Sequence, residues 1–389
     1  MKALYNIAYV CLSEFRRIFH DKGIMIFVFA VPLFYPLLYS YIYTNEQVCN
    51  IPVAVVDNSQ SPLSRQIVRQ LDATADVRVV SHCTDLAQAQ ELVRRQQAYG
   101  IIQIPATLES DIMHNRQSVI GLYCDMASML YYKGLILAAN NVVMECNKDI
   151  KVEYHTPATT DRQGEVLRAP ITYDYVPMYN PQSGFAAFLI PPVLMLILQQ
   201  TLLLGVGMAT GSIRERSGGS AIPMGRQFHS PVQVVLGRAL PYLLIYIVFA
   251  LYDFAVVNRI FTLPQLGHYT DYILFMLPFL LACIFFAMTL SAFIYRREDA
   301  ILLIVFMSVP FLFMSGISWP GSAMPEFWKW FSYLIPTSFG CNGYVRINSM
   351  GASLGQVRPE FIALCIQAGV YFLTATLFYR RQFRVRGKR

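Results

Sequence analysis

The chain has 389 residues, of which 55% are hydrophobic and only 14% are charged. Soluble domains carry about 25% charged residues, so this composition, with a mean hydropathy of +0.41, excludes an ordinary soluble enzyme. It predicts an α-helical integral membrane protein. The net charge of +7 is explained by basic residues that face anionic lipid on one side of the membrane. We therefore expect the lipid bilayer as a partner, and no nucleic acid.

Residues 1–23 alternate charged and aromatic side chains. Phe15 and Phe19 recur at helical spacing with Ile18, and Arg16 and Arg17 lie between them. This pattern is typical of an amphipathic helix at the cytoplasmic membrane interface. Such an elbow helix anchors a chain to lipid or docks a partner protein, and the pattern is compatible with both roles.

Six apolar stretches are long enough to cross roughly 30 Å of hydrocarbon as helices of about 20 residues. They are Ile24–Tyr43, Gly184–Thr210, Val232–Val257, Tyr272–Ile294, Ala300–Ser318 and Phe361–Tyr379. The sequence thus predicts a first transmembrane helix in residues 24–43 and five more in residues 184–379. The later helices are interrupted by a cytoplasmic loop at 211–231 and an outer loop at 319–360.

Basic residues beside the helix ends predict the orientation of the chain. On one side they are Lys2, Arg16, Arg17, Lys22, Arg214, Arg216, Arg226, Arg296 and Arg297, with the basic tail 380–389. Few basic residues border the helices on the other side. Both termini are therefore predicted to be cytoplasmic, and residues 44–183 to lie outside.

Residues 44–183 show the pattern of short strands and helices that is typical of a folded domain. Predicted strands are Ile51–Asp57, Val77–Val80, Tyr99–Pro105 and Ser118–Cys124, and predicted helices are Leu63–Leu71, Asp85–Gln97 and Tyr131–Asn147. Strands that alternate with helices predict parallel pairing, so we expect an inserted extracytoplasmic α/β domain. Asp57 follows the first strand, where a turn and helix cap is a better interpretation than a catalytic carboxylate.

Four cysteines fall in this outside segment: Cys49, Cys83, Cys124 and Cys146. In an oxidising compartment they allow three pairings, between which sequence does not choose. Cys124 also fits a small buried hydrophobe. One disulfide or none are both compatible with this pattern.

A short charged break, Ile213–Gly219, follows the long uncharged second span. It marks a cytoplasmic turn and offers both signs of charge there. Just before it, Gly207 and Gly211 stand four residues apart, which favours close helix packing over a dinucleotide fingerprint. The sequence contains no Gly-x-x-x-x-Gly-Lys-Ser/Thr loop, and its histidines lack zinc-site spacing. We therefore expect no catalytic residue, metal site or cofactor in this chain.

Asp253 is the acidic residue that lies well inside a predicted span. An ionisable group in a membrane helix is a functional hypothesis by default. Asp253 is near the outer end of its span and close to Arg259, so a local ion pair or contact with water is favoured over a part in transport.

Three groups of residues resemble the ABC-2 family of transporter permeases, in its efflux-type branch with a large extracytoplasmic domain. The groups are Ile213–Gly219 with Pro223 and Gly237–Tyr242; Phe313–Gly316 with Pro320, Met324 and Tyr333–Thr337; and the strands Val53–Asn58 and Gly100–Pro105. Their order and spacing cover essentially the whole chain. The sequence departs from the family pattern at Ser220 and Ala221, and Arg238 stands where lysine is commoner.

The resemblance implies a permease subunit of an exporter in the bacterial inner membrane, which moves a small or amphipathic substrate outward. It also implies a homodimer or a heterodimer with a similar permease, a separate cytoplasmic ATPase that binds ATP and Mg, and room for a periplasmic adaptor. The coupling residues would be Arg214, Glu215, Arg216, Gly218 and Gly219. The alternative for these residues is a solvated loop that only enforces topology.

Two other classes of protein share parts of this layout. One is a membrane-anchored receptor-like or secretion-apparatus component with one-plus-five topology, and the other is a secondary transporter, which often carries inverted repeats and midplane charges. The substrate-binding residues are unknown from sequence. Phe185, Phe188, Phe311 and Phe313 would suit an amphipathic substrate, and lipid-facing or core packing explains them equally well.

Overall fold

The chain folds into two compact units. The computed structural model describes residues 2–114, 116–155, 178–181, 184–222 and 230–386. The helical unit combines Met1–Glu46 with Pro177–Arg389, and the sheet unit comprises Gln47–Val176. Each unit has its own apolar core.

The described part of the helical unit is built from helices throughout. These are α1 (Lys2–His20) and α2 (Lys22–Ile42), then, after the sheet unit, α7 (Phe185–Arg216), α8 (Pro231–Ile260), α9 (Tyr269–Leu290), α10 (Arg297–Met314), α11 (Glu326–Ser332), α12 (Pro336–Met350) and α13 (Arg358–Arg386). The prediction of a mainly helical membrane protein is confirmed. Among the described residues, α2, α7, α8, α9 and α13 are long and apolar enough to cross a membrane.

The remaining predicted span, Ala300–Ser318, corresponds to α10, which is not among those five helices. Helix α10 has 18 residues and starts one turn earlier than predicted, with Arg297, Glu298 and Asp299 in that turn. At 1.5 Å per residue it is about 27 Å long, but its charged first turn leaves a shorter apolar stretch. The structure therefore supports five spans by length and composition.

The predicted outer loop 319–360 contains two helices, α11 and α12, that the sequence did not reveal. Helix α12 is largely buried. A Cβ at Gly340 or Gly343 would lie 2.4 or 2.2 Å from a ring atom of Phe279 or Phe275 on α9. These glycines let α12 approach α9 closely, so this part of the predicted loop belongs to the core of the bundle.

The sheet unit contains four described strands and four helices. They are β1 (Ile51–Asp57), α3 (Pro62–Asp72), β2 (Val77–Cys83), α4 (Leu86–Arg94), β3 (Gly100–Ile104), α5 (Leu108–Met113), β4 (Gly121–Cys124) and α6 (Met129–His155). The sheet order is β2-β1-β3-β4. Strand β1 is parallel to β2 and β3, as predicted, but β4 is antiparallel to β3. A parallel crossover usually carries a helix that returns along the sheet; α5 has only six residues, and β4 instead runs back beside β3.

Asp57 at the end of β1 acts as a turn and cap residue, which confirms that prediction. Its Oδ1 accepts hydrogen bonds from the backbone N–H groups of Ser59 and Gln60, both at 3.0 Å. Its Oδ2 accepts from the Ser64 hydroxyl at 2.7 Å. Ser61 then caps α3 by accepting from the Ser64 N–H at 3.1 Å. Both carboxyl oxygens of Asp57 are therefore engaged in the turn and at the start of α3.

The cysteines of the sheet unit are unpaired. Cys49 is exposed, Cys124 is half-buried, and Cys83 and Cys146 are buried. The Cys146 thiol donates to the Gln70 side-chain oxygen at 3.0 Å. Burial, with the nearby acidic side chains of α6, raises the pKa of Cys146. The disulfide that the sequence left open is therefore absent from this structure, and Cys146 behaves as a buried hydrogen-bonding residue.

Candidate functional site

Arg214, Glu215 and Arg238, which the sequence singled out, lie at one end of the helical unit. There, α1 and the last turns of α13 meet the end of α7, the start of α8 and the junction between α9 and α10. We call this the basic end of the bundle and define it by Glu14, Arg214, Arg238, Arg297 and Tyr379.

A buried ion pair between Glu14 of α1 and Arg238 of α8 forms the centre of the basic end. Both side chains are 1% exposed. The Nη2 and Nε atoms of Arg238 lie 3.0 and 3.2 Å from Oε1 of Glu14. The guanidinium also donates to the Tyr379 hydroxyl of α13 and, at 3.2 Å, to the Thr210 hydroxyl of α7. Arg238 therefore joins four helices through one side chain.

The second oxygen of Glu14 is also paired. It lies 2.5 Å from Nη1 of Arg17, while the Tyr242 hydroxyl donates to Oε1 at 3.4 Å. Burial alone would raise the pKa of Glu14, but the charges of Arg238 and Arg17 and the hydrogen bonds from Arg238 and Tyr242 outweigh it and lower that pKa. Glu14 is therefore ionised inside the protein. A buried charge of this kind is stable only when its partners are in place.

The lowered pKa of Glu14 predicts a stability loss in acid. The unfolded chain binds a proton at about pH 4.3, the ordinary value for glutamic acid, and the folded chain binds it only at lower pH. The contribution of Glu14 is therefore complete above that value and is lost as pH falls through the folded pKa. We expect the melting temperature of detergent-solubilised protein to fall more steeply in this acid range for the natural chain than for Glu14→Gln. Superimposable slopes for the two proteins would contradict this prediction.

The aromatic face predicted for the elbow helix α1 is only partly covered by the bundle. Ile18 is fully buried with Glu14, whereas Phe19 is 54% exposed. Phe15 stacks on Phe19 with ring centroids 6.4 Å apart, and Phe19 contacts Phe29 of α2 at 5.1 Å. The predicted residues Arg16 and Arg17 are exposed and half-buried, respectively. The interhelical role of Glu14 was missed because its partner is 224 positions away.

Close backbone contact brings α1 against the start of α8. A Cβ on Gly237 would lie 2.7 Å from Cβ of Val10 and 3.0 Å from the carbonyl oxygen of Ile7. Gly237 precedes Arg238, so the small residue lets the helices approach and the arginine then reaches Glu14. Gly-Arg at positions 237 and 238 is the sequence signal that marks this contact.

Arg214, expected in the coupling surface, is instead turned into the protein. Its side chain is 3% exposed, and its guanidinium donates to the carbonyl oxygens of Ile294 and, at 3.2 Å, Ala292. It also lies 4.7 Å from the ring centroid of Tyr295. Arg214 thus ties the end of α7 to the chain between α9 and α10.

Glu215 connects α7 to α10 and, through α10, to the start of α2. Its Oε1 accepts from the backbone N–H of Arg297 at 2.9 Å, at the first turn of α10. Nη2 of Arg297 lies 2.5 Å from Oδ1 of Asp21. Asp21 caps α2 by accepting from the N–H groups of Gly23 and Ile24 at 3.1 and 3.3 Å. A carboxylate at a helix N-terminus is favoured by the helix dipole, so both acidic residues stabilise helix starts.

The remaining residues of the charged break stay at the surface. Helix α7 continues to Arg216 instead of ending at Thr210, so residues 211–216 of the predicted loop are helical. Arg216, Gly218 and Gly219 are exposed. The two glycines have φ of 62° and 97°, a left-handed region that favours glycine, and the Gly219 N–H donates to the Arg214 carbonyl at 2.8 Å. Pro223 and Arg226 lie outside the described residues.

Gly207 and Gly211 lie where α7 packs against the start of α10. A Cβ on Gly211 would be 2.8 Å from the backbone of Arg296 and Arg297. A Cβ on Gly207 would be 2.8 Å from the tip of Ile294 and 3.1 Å from Cβ of Ala300. These glycines allow the contact that brings Glu215 to the N-terminus of α10.

Asp253 does not fulfil the expectation of a local ion pair or contact with water. It is 0% exposed, and neither carboxyl oxygen has a hydrogen-bond partner within the described part of the chain. Arg259 donates instead to the Tyr269 hydroxyl at 3.1 Å. The sequence placed Asp253 correctly within its helix but could not show that it faces the interior.

The fold and the basic end define a polytopic membrane protein whose terminal helices and interhelical turns are tied together at one end. Residues 22–377 match the family described as ABC-2 family transporter protein, so the chain belongs to that family. It is an ABC transporter permease, which confirms the family suggested by its motifs.

A similar curated protein is "ABC transporter G family member 20" from Dictyostelium discoideum. It is 21% identical over 385 residues, which cover 96% of this chain and 50% of the relative. The chain therefore spans about half the length of this relative.

Proposed function

We propose that this chain is the permease subunit of an ATP-driven exporter and that a separate ATPase subunit acts on the basic end. The observation that carries the proposal is the link Glu215–Arg297–Asp21, which joins the end of α7 to α10 and α2. A force applied at the end of α7 would reach the starts of two further helices through short polar contacts. The family supports a transport role, and the sequence lacks a phosphate-binding loop of its own.

The exposed part of the basic end supplies the proposed docking surface. Arg216 and the Gly218-Gly219 turn lie on one side, and Tyr295 and Arg296 lie at the junction between α9 and α10. Tyr295 is 67% exposed, although its ring also packs near the Arg214 guanidinium. Exposed charge with an aromatic side chain suits a protein partner. Arg214 acts behind this surface as a support, which revises the role expected of it.

Closure of the ATPase would move the basic end as a block. The Glu14–Arg238 pair fixes α1, α7, α8 and α13 to one another, while Glu215 and Arg297 fix α10 and α2. A push on the α7 end would therefore tilt helices instead of deforming a loop. In this mechanism ATP and Mg are bound and used by the partner, and the permease chain converts the motion into access changes.

The orientation completes the proposal. The excess of basic residues at the basic end supports a cytoplasmic location for it, and we propose that the sheet unit Gln47–Val176 lies outside and that α10 is a sixth, short span. A bacterial inner membrane, a permease dimer and an adaptor contact at the sheet unit are further parts of this proposal. Outward transport of a small or amphipathic compound fits the apolar bundle, in which Phe185 contacts Phe188 and Phe311 contacts Phe286.

Charge reversal at Arg216 tests the docking surface. Arg216 is exposed and adjoins the turn, so Arg216→Glu should leave the fold intact and weaken ATPase binding. We expect about a tenfold loss of affinity, equivalent to about 1.4 kcal/mol. The measurement is the amount and the ATPase activity of the Walker A-containing chain that co-purifies with the tagged permease in detergent.

Arg78→Glu is the matched control, because Arg78 is an exposed arginine on β2 of the sheet unit. It changes net charge equally and should leave the co-purified ATPase unchanged. Equal losses for the two variants would indicate a general charge effect and argue against the docking surface. If no ATPase co-purifies with the natural chain and substrate efflux from vesicles does not depend on ATP, the proposed function is wrong.

A further inference from the structure

Asp253 occupies an irregular turn in the middle of a buried surface. Helix α8 widens into a π-helical turn over Asp253–Val257, closed by the hydrogen bond from the Asn258 N–H to the Asp253 carbonyl. Such turns are rare and frequently occur at functional sites. Asp253 and Asn258 are 0% and 1% exposed, and they begin and end this turn.

Three buried acceptor oxygens at this turn have no hydrogen-bond donor in the described structure. They are both carboxyl oxygens of Asp253 and the side-chain oxygen of Asn258. The amide nitrogen of Asn258 is used, since it donates to Asn348 of α12 at 2.9 Å. A buried acceptor without a donor is costly, so a group that supplies a donor would stabilise this site.

The ionisable groups packed around Asp253 do not supply a compensating charge. Those shown to interact with Asp253 are tyrosines: Tyr252 on α8, Tyr272 on α9 and Tyr344 on α12. Helix α2 also contacts this turn, and the ionisable residues of its second half are the tyrosines at 35, 39 and 41. Tyr272 donates to the Ala250 carbonyl at 2.5 Å, and Tyr252 donates to the Leu33 carbonyl at 3.0 Å.

The arginines on adjoining segments are also engaged elsewhere. Arg259 donates to the Tyr269 hydroxyl, and Arg346 of α12 lies 2.8 Å from Oε1 of Glu360. An ionised Asp253 would thus be a buried charge without a counter-ion among the described residues, which is strongly unfavourable in a membrane protein.

We propose that Asp253 is a proton-binding site and that its carboxyl group is neutral in this conformation. A single bound proton removes the buried charge and turns one acceptor into a donor. The side-chain oxygen of Asn258, at the other end of the same π-helical turn, is a second acceptor that lacks a donor. The ligand is a proton, taken from water without any change in covalent bonding elsewhere.

The site links protonation to helix packing. Asp253 lies on α8 beside Tyr272 of α9 and Tyr344 of α12. A movement that separates these helices would admit water, ionise the carboxyl and release the proton. The packed conformation is therefore favoured at low pH and becomes less favourable as pH rises. This inference concerns the permease chain alone and does not depend on the ATPase proposal.

The test compares the purified full-length chain with Asp253→Asn, which keeps the shape and a donor but cannot ionise. In this proposal the packed fold keeps Asp253 protonated, so the natural chain loses stability as pH rises above the ordinary pKa of an aspartic acid, about 3.9. We expect Asp253→Asn to gain in melting temperature relative to the natural chain by about 2 °C or more between about pH 5 and about pH 8. The matched control is Asp271→Asn, a half-buried acid in the first turn of α9, which should not show this widening.

Infrared spectroscopy gives a second readout that a packing effect would not produce. The natural chain should show the carbonyl stretching band of a neutral carboxyl group at neutral pH, and Asp253→Asn should lack it. A constant difference in melting temperature across pH, with no such band, would overturn the proposal. So would specific stabilisation of the natural chain by sodium over choline at fixed pH that is absent from Asp253→Asn, because the site would then hold a metal cation.

Discussion

Replacement of Arg238 by methionine is expected to destabilise the helical unit by about 3–5 kcal/mol, because it leaves Glu14 ionised and buried without its main partner. The same change removes hydrogen bonds to Tyr379 and Thr210, so the polar contacts that Arg238 makes to α7, α13 and α1 are lost together. The expected result is a large fall in the melting temperature of the detergent-solubilised chain and a loss of monodisperse protein in size-exclusion chromatography.

A paired replacement separates the cost of the unpaired charge from the loss of packing. In Glu14→Leu with Arg238→Met the buried charges are removed together, and such substitutions are often neutral or stabilising for buried ion pairs. We expect the double variant to recover most of the stability that Arg238→Met loses. The control is Arg16→Ala, because Arg16 is an exposed arginine on α1, the helix that carries Glu14. This variant should have little effect on stability. If Arg238→Met is as mild as Arg16→Ala, the ion pair does not hold the basic end together.

Local sequence patterns predicted the secondary structure of this chain well where the residues that start and end an element are its own neighbours in sequence. Strand β1 was predicted with its observed bounds, because its β-branched run ends in the Asp57 turn and the Ser61 cap. The positive φ of Gly218 and Gly219 also agrees with the tight turn that their composition suggested. Helix α1 was anticipated from its aromatic and basic spacing.

Interactions between distant segments could not be read in the same way. Glu14 and Arg238 are 224 positions apart, and each looks like an ordinary charged residue beside a membrane span. Arginines beside membrane spans usually face the cytoplasm, so Arg214 was expected at the surface. It instead donates hydrogen bonds to carbonyl groups 78 and 80 positions away. Helix α12 was missed because its buried face contains many small or polar residues, among them Thr337, Ser338, Gly340 and Gly343, so the segment has a low hydropathy.

Asp253 is a further charged residue whose contacts the sequence did not predict. Its proximity to Arg259 in sequence suggested an ion pair, but the π-helical turn begins at Asp253 and Arg259 reaches Tyr269 instead. The expectation rested on closeness in sequence alone, whereas a helix brings together residues three or four positions apart, and Asp253 and Arg259 are six apart. The sequence marked Asp253 as a residue of interest, but its complete burial and its unpaired oxygens became visible only in the structure.

A graded series at three glycines tests whether the contact between α7 and α10 transmits force. At Gly211 an added Cβ would meet the backbone of Arg296 at 2.8 Å, and backbone cannot rotate away. Gly211→Leu should therefore cost about 1–3 kcal/mol or more through overpacking, displace the start of α10 and break the contact from Glu215 to the Arg297 N–H. Gly207→Ala should be milder, because its nearest neighbour is the movable tip of Ile294.

Gly369→Ala is the control, since an added Cβ there has no neighbour within 4 Å; the position lies inside α13, where alanine is favoured over glycine by up to about 1 kcal/mol. Melting temperature should fall most for Gly211→Leu, less for Gly207→Ala, and not at all for Gly369→Ala. If Gly211→Leu retains the full stability of the natural chain, α10 is not packed on α7 as described. If it folds at permissive temperature but no longer supports ATP-dependent efflux, the loss places force transmission at the junction that Glu215 and Arg297 form.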